Sequence, residues 1–164
     1  MNEIKLKIGE LQITTKHGLM LVIEGLSSCI GLAVYDKRAK MAGMAHIVLP
    51  SSSISNEKDI NEEFGKYADT AVPGILERML SLGSKKEDLI IKIAGGTSML
   101  SLENEDNPLN IGERNIIAVK KAINSLGLHI TKADVGGYKK RTLKLNVING
   151  AFYIKTIGQE EIEF

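Results

Sequence analysis

The fold is decided by the stretch Ile30-Gly31-Leu32-Ala33-Val34-Tyr35, then Asp36-Lys37-Arg38-Ala39-Lys40, then Met41-Ala42-Gly43-Met44-Ala45-His46-Ile47-Val48-Leu49-Pro50. Two apolar runs flank a polar turn, and this pattern predicts a β-hairpin. Opposed residues of antiparallel strands have positions that add to a constant, and a turn centred near Arg38 gives a sum of about 75 to 77. With a sum of 75, Cys29 lies directly across from His46 on one face of the hairpin.

This pairing matters because a thiol and an imidazole together can perform nucleophilic chemistry. Directly opposed side chains on one face have Cβ atoms about 4.5 to 5.5 Å apart, close enough for a hydrogen bond. An isolated thiol is mostly protonated at neutral pH, and a neighbouring imidazole that accepts the proton makes it a nucleophile. Ser27 and Ser28 precede Cys29, with Gly25 nearby, so their backbone N–H groups could face a developing oxyanion. The alternatives are a cysteine that only packs in the core and a structural histidine.

The rest of the chain alternates short strands with two helices. Apolar residues at helical spacing predict a helix over 70–82, capped by Asp69 or Thr70 and with Pro73 in its first turn. A second helix is predicted over 111–126, where Asn110 and Glu113 form a capping box. Strands are predicted over 11–15, 20–24, 30–35, 42–49, 89–94, 128–133, 142–147 and 151–157. Strands outnumber helices and hairpins outnumber crossovers, which favours a mixed α/β layered domain.

Length and composition restrict the classes of function. We expect one domain over residues 1–164. Lys and Arg number 21 against 20 Asp and Glu, so the net charge is +1, which argues against nucleic-acid and anionic-lipid partners. No apolar run reaches the roughly 18 residues of a membrane helix, and no secretory signal is visible at the amino terminus. A single cysteine indicates a reducing, cytoplasmic setting.

We expect neither a metal nor a cofactor. One cysteine and three scattered histidines supply no cluster of ligands at metal-binding spacing. The segment Gly95-Gly96-Thr97-Ser98 follows a predicted strand but lacks the spacing of a phosphate-binding loop.

The sequence resembles one family along nearly its whole length. The segment Gly25-Leu26-Ser27-Ser28-Cys29-Ile30-Gly31 is similar to the nucleophile segment of CheD, the chemoreceptor glutamine deamidase of bacterial chemotaxis, and Gly43-Met44-Ala45-His46-Ile47 is similar to its histidine segment. Further similar segments follow in order: Lys66-Tyr67-Ala68-Asp69-Thr70-Ala71-Val72-Pro73, Lys92-Ile93-Ala94-Gly95-Gly96, Asn110-Ile111-Gly112-Glu113-Arg114-Asn115, Ala133-Asp134-Val135-Gly136-Gly137 and Arg141-Thr142.

This resemblance implies a protein-glutamine glutaminase that converts selected glutamines of chemoreceptors to glutamate through a cysteine thioester. It implies Cys29 as the nucleophile and His46 as the base. The implied fold is a layered α/β/β/α sandwich with mixed, largely antiparallel sheets, similar to the deamidase domain of cytotoxic necrotising factor toxins. The implied partners are the cytoplasmic domains of chemoreceptors and a CheC-type phosphatase, and the implied location is the cytoplasm, at receptor arrays.

The sequence departs from the family pattern beside the nucleophile. The family places a threonine six residues before the cysteine as the third catalytic member, and this chain has Ile23. Candidates to orient the histidine or to form the oxyanion site are Glu24, Ser27, Ser28, Thr97 and Ser98, and the sequence does not choose among them. The isoleucine motivates a second hypothesis, a catalytically weak binding module that acts on CheC or on the receptor.

Overall fold

Ten β-strands and two α-helices are present in a computed structural model of the chain, which describes residues 1–54, 64–98 and 110–164. The strands are β1 Asn2–Lys5, β2 Leu11–Thr14, β3 Leu19–Leu26, β4 Ile30–Asp36, β5 Met41–Ile47, β6 Leu89–Gly95, β7 Lys132–Val135, β8 Arg141–Asn146, β9 Phe152–Thr156 and β10 Ile162–Glu163. The helices are α1 Ala68–Ser81 and α2 Ile111–Ser125, and short 3-10 helices cover Ser52–Ile54 and Lys86–Asp88.

The strands form two sheets that pack face to face. The first sheet has the order β1-β3-β8-β9-β10, and the second has the order β2-β5-β4-β6-β7. The pairs β1–β3 and β6–β7 are parallel, and the other paired strands are antiparallel. The predicted α/β class with mixed, largely antiparallel sheets is therefore confirmed.

Two hydrophobic clusters define the layers. One cluster joins α1 and α2 to the outer face of the second sheet, and the other fills the space between the two sheets. Both helices thus cover the same sheet, and the described residues make three layers in the order helix, sheet, sheet. The second helical layer of the expected α/β/β/α sandwich is not found among residues 1–54, 64–98 and 110–164.

The hairpin of β4 and β5 forms as predicted, and its register lies at the upper end of the predicted range of about 75 to 77. The direct pairing of Cys29 with His46, which needs a sum of 75, is wrong. Asp36 pairs with Met41, and Ile30 pairs with Ile47, so opposed positions add to 77. The turn is therefore centred between Arg38 and Ala39. The Asp36 carboxylate fixes it there, since Oδ1 accepts hydrogen bonds from the N–H groups of Arg38 and Ala39, both at 2.9 Å. His46 consequently lies opposite Gly31 and not opposite Cys29.

The predicted helices are confirmed, with one correction at the start of α1. The helix begins at Ala68, because the Tyr67 carbonyl already accepts from the Ala71 N–H at 2.7 Å. Asp69 therefore lies inside the helix, where its carboxylate accepts from the Ser52 N–H at 2.9 Å instead of capping. Pro73 accordingly falls in the second turn and not in the first.

The start of α2 agrees with the predicted cap. The Asn110 side chain accepts a hydrogen bond from the Glu113 N–H at 3.3 Å, as a capping box requires. No helix among the described residues is long and apolar enough to span a lipid bilayer.

Candidate active site

Cys29 lies where the chain crosses from the first sheet to the second. Strand β3 belongs to the first sheet and β4 to the second, so residues 27–29 connect the two layers. The crossing begins with a β-bulge between Ile23 and Leu26, and Gly25 supplies the positive φ of 65° that this change of direction needs. Cys29 is half-buried and packs at the edge of the core between the sheets.

His46 faces the same space between the sheets. It is 6% exposed, and its neighbours on alternate positions of β5, Ala42 and Met44, belong to the core between the sheets. Gly31 lies opposite His46, and Cys29 is two residues before Gly31, on the same face. The two candidate residues are therefore diagonal neighbours, a relation with a separation of about 7 to 8 Å in regular strands, still within reach of an aromatic ring.

A backbone carbonyl orients the imidazole. The Nδ1 atom of His46 lies 3.2 Å from the Leu6 carbonyl oxygen. Because a carbonyl only accepts hydrogen bonds, Nδ1 carries the hydrogen, and the neutral ring keeps a free lone pair on Nε2. This tautomer is the one that a general base acting through Nε2 requires.

The segment that supplies this carbonyl also holds the backbone of His46. The His46 N–H donates to the Glu10 carbonyl at 2.9 Å, and the His46 carbonyl accepts from the Gly9 N–H at 2.9 Å. Leu6 itself is fixed, because its N–H donates to the Val22 carbonyl at 2.8 Å. The turn between β1 and β2 therefore holds the histidine by both its backbone and its ring.

Burial favours the uncharged form of both groups. It lowers the pKa of His46 below its ordinary value, although the Leu6 carbonyl and the charge of Glu10 act in the opposite direction. Burial raises the pKa of the Cys29 thiol, and the Cys29 backbone N–H partly offsets this effect. The resting site therefore holds a thiol and a neutral imidazole.

Three of the other candidates lie at the crossing loop. The Ser27 and Thr97 hydroxyls are 3.1 Å apart, and the Thr97 N–H donates to the Ser27 carbonyl at 2.7 Å. The Ser28 carbonyl accepts from the side-chain amide of Asn115 at 2.9 Å, and the Cys29 carbonyl accepts from the Gly96 N–H at 2.8 Å. The end of β6 and helix α2 thus hold the loop that carries Cys29.

The remaining two candidates make contacts elsewhere. Glu24 is exposed and forms an ion pair with Lys5 at 2.8 Å. The Ser98 N–H donates to the Gly137 carbonyl at 2.9 Å, and the Ser98 hydroxyl is 3.5 Å from the Asn110 amide.

Ile23, which stands where the family resemblance implies a threonine, is fully buried between the sheets. Its Cδ1 atom lies 3.4 Å from the position that a Cβ on Gly31 would occupy. Because Gly31 faces His46, Ile23 packs on the face of the sheet that carries the histidine. The ring nitrogen that a third catalytic side chain would bind is already hydrogen-bonded to Leu6.

Sequence reasoning missed two groups of this site, the Leu6 carbonyl and the Asn115 side chain. A backbone carbonyl leaves no trace in the residue type, and a single asparagine in a helix has no pattern that marks it. Among the residues that the structure describes, no group of three or more His, Cys, Asp or Glu side chains could hold a metal ion.

Comparison with known proteins agrees with the resemblance seen in the sequence. The family described as CheD, "CheD chemotactic sensory transduction", matches residues 48–156. The chain is 37% identical to "Chemoreceptor glutamine deamidase CheD" of Halalkalibacterium halodurans, with 99% of each chain covered. The chain belongs to the CheD family.

A second CheD relative and a solved structure were also found to match this chain. "Probable chemoreceptor glutamine deamidase CheD" of Clostridium botulinum (strain Alaska E43) is 41% identical, with 95% of this chain and 94% of the relative covered. The crystal structure of Bacillus licheniformis hypothetical protein YfiH aligns with 78% of this chain and 49% of its own, at 14% identity and a TM-score of 0.39. This structural likeness is too weak to carry an argument.

Proposed function

We propose that this CheD family member hydrolyses glutamine side chains of chemoreceptors to glutamate, with Cys29 as nucleophile and His46 as base. The observation that carries the proposal is the hydrogen bond from His46 Nδ1 to the Leu6 carbonyl at 3.2 Å. It leaves Nε2 as the proton acceptor, on the same face as a half-buried thiol. The names of the relatives, chemoreceptor glutamine deamidase, support the choice of substrate.

The reaction proceeds by two acyl transfers. His46 Nε2 takes the thiol proton as Sγ attacks the side-chain carbonyl carbon of glutamine, and the imidazolium then protonates the amine so that ammonia leaves. This step leaves a thioester on Cys29. Water attacks the thioester, His46 accepts a proton from that water and returns one to the sulfur, and glutamate is released. The balance is one water consumed and one ammonia formed for each glutamine.

The crossing loop supports stabilisation of the oxyanion in both steps. The carbonyls of Ser27, Ser28 and Cys29 are all hydrogen-bonded to Thr97, Asn115 or Gly96, which fixes the direction of the peptide planes between them. Burial raises the pKa of the Cys29 thiol, and the Cys29 N–H, acting on its own sulfur, partly offsets that rise. The same donor is available to an oxyanion that forms on a carbon bonded to that sulfur.

The proposed partners follow from the same assignment. The cytoplasmic domains of chemoreceptors are the substrates, so the protein works in the cytoplasm at receptor arrays, as a single domain over residues 1–164. A CheC-type phosphatase is the proposed regulatory partner, and this part rests on the family resemblance alone.

The decisive test replaces the nucleophile. Wild-type protein incubated with receptor cytoplasmic fragments should raise the mass of specific glutamines by about one dalton, and Cys29→Ala should give no gain above the enzyme-free background, because no thioester can form. Peptide mass spectrometry measures both. Ser81→Ala, which removes an exposed hydroxyl at the end of α1, should match the wild type. A wild type no faster than Cys29→Ala on several receptors would overturn the proposal.

A second candidate, the weakly catalytic binding module, is favoured by Ile23 and by the burial that raises the pKa of Cys29. Ile23→Thr separates the two candidates. If Leu6 already orients His46, this variant should keep kcat within about threefold and lose about 1 to 3 kcal/mol of stability, because a hydroxyl enters an apolar core. Kinetics and urea unfolding measure the two effects.

Ile23→Val is the matched control, because it also removes a methyl group but adds no hydroxyl. It should cost about 0.5 to 1.5 kcal/mol and leave kcat unchanged. A sharp rise in kcat for Ile23→Thr, with partner affinity unchanged, would instead support the binding module.

A further inference from the structure

Asn115 is a fully buried amide in a helix whose buried face is otherwise apolar. It lies in α2, and its exposed fraction is 0%. Two other buried residues of this helix, Val119 and Ile123, pack in the core between the helices and the second sheet. A buried amide costs free energy unless its polar atoms find partners, so its contacts need a physical explanation.

One nitrogen of Asn115 bonds to two separate segments. Its Nδ2 donates to the Ser28 carbonyl at 2.9 Å and to the Val48 carbonyl at 2.8 Å. Both partners are acceptors, so the amide orientation is determined, since the flipped side chain would set its oxygen against two carbonyls. Ser28 directly precedes the nucleophile, and Val48 is two residues after the histidine.

The Asn115 amide donates its hydrogen bonds just beyond the end of the ladder between β4 and β5. The ladder between β4 and β5 ends at Ile30 and Ile47. Ser28 and Val48 lie just beyond this last pair, so Asn115 bridges strands whose own backbone pairing has ended. The segment between the bridge and the ladder contains Cys29.

The side-chain oxygen of Asn115 differs from the nitrogen, which has two hydrogen-bond partners. Oδ1 is buried and has no hydrogen-bond partner among the residues that the structure describes. An unsatisfied buried acceptor destabilises the folded state. An isosteric leucine would avoid that cost, although it would leave the two carbonyls without their side-chain donor.

We propose that Asn115 is a positioning residue, whose amide nitrogen holds the Cys29 loop against the His46 strand and so sets the distance between sulfur and imidazole. The role rests on the proposed deamidase function, because only a reaction shared by the two side chains makes their separation matter. Asn115 acts through the Ser28 and Val48 carbonyls.

The test is a double-mutant cycle with Asn115→Leu and His46→Asn. Asn115→Leu keeps the number and branching of the side-chain heavy atoms and removes both N–H donors. It should lower kcat for receptor deamidation by about 10 to 100-fold, the effect of a misplacement near 1 Å, with KM little changed. His46→Asn should then cost less in the Asn115→Leu background than in the wild type, because the pairing of sulfur and imidazole is already weakened.

A second readout does not depend on the receptor. The rate of Cys29 alkylation by iodoacetamide at neutral pH, measured below the melting temperature of each variant, should show the same non-additivity. A protein without deamidase activity but with this coupling would contradict the proposed function and leave the positioning role intact. Asn115→Ala provides a second variant, and Asn124→Leu, an exposed asparagine on the same helix, should behave as wild type.

Additive effects of the two substitutions, or a folded Asn115→Leu with wild-type kcat and alkylation rate, would overturn the proposal. A loss of stability without a change in the cycle would show that Asn115 is structural only.

Discussion

Replacing His46 with asparagine is expected to lower the rate of glutamine deamidation by about 10²- to 10⁴-fold, the range for loss of a general base. The amide nitrogen of an asparagine side chain occupies about the position of Nδ1 in histidine. The variant can therefore keep the hydrogen bond to the Leu6 carbonyl while it lacks Nε2. The fold and the substrate surface should therefore be preserved. Single-turnover kinetics on a receptor fragment measure the effect, and circular dichroism checks the fold.

The pH profile gives this prediction its second observable. Because burial lowers the pKa of His46, the acidic limb of the wild-type rate should have its midpoint below the ordinary value of about 6.5. The limb should vanish in His46→Asn. An acidic limb that persists in the variant, or a rate loss below tenfold, would assign the base to another group.

The lowered pKa of His46 also predicts how the stability of the fold depends on pH. The folded protein binds the His46 proton less readily than the unfolded chain does, since its pKa is lower. Stability should therefore fall as the pH decreases from about 6.5 toward the folded pKa. His46→Asn should remove this contribution.

Replacing Gly95 with alanine is expected to cost about 2 to 4 kcal/mol of stability and to lower kcat by at least about 100-fold. Gly95 has a φ of 112°, and an added Cβ would lie 2.1 Å from the Cys29 carbonyl oxygen. Backbone contacts cannot relax as flexible side chains do, so the loop that carries Cys29 must move. Urea unfolding and deamidation kinetics should show both losses together.

Gly158→Ala is the control for this substitution. Gly158 also has a positive φ, of 80°, but nothing lies within 4 Å of the added Cβ, and the residue is exposed. It should cost about 1 to 2 kcal/mol from backbone strain and leave kcat unchanged. Equal effects of the two variants would show that strain, and not the displacement of Cys29, accounts for the loss at Gly95.

The hairpin shows how far sequence patterns reach. Two apolar runs around a polar turn were sufficient to pair β4 with β5, but they could not fix the register. The sum of 77 depends on the Asp36 carboxylate, which binds the N–H groups of Arg38 and Ala39 and so centres the turn between them. A shift of two positions keeps each side chain on its face, so Cys29 and His46 remain on one side as diagonal neighbours.

The hydrogen-bond partner of the His46 imidazole could not be predicted from the sequence, for a different reason. The sequence offers only side chains such as Glu24 and Ser27 as a third group, because it displays residue types and not backbone positions. The group that bonds Nδ1 is the carbonyl of Leu6, which any residue at that position would offer. Strands β1 and β10 were missed because they are short and mostly exposed, with no apolar alternation to mark them.

Attachment of the imidazole to the main chain of residues 6–10 links the chemistry to the behaviour of a sheet edge. Among residues 1–54, 64–98 and 110–164, strand β1 lies at the edge of its sheet and pairs with β3 through four residues. Edge strands fray, and each opening that carries Leu6 away from Val22 would release the ring to rotate. Amide hydrogen exchange at Leu6 would then report how often the His46 ring loses its orientation. Mutations that stabilise the pairing of this edge strand would speed turnover without changing Cys29 or His46.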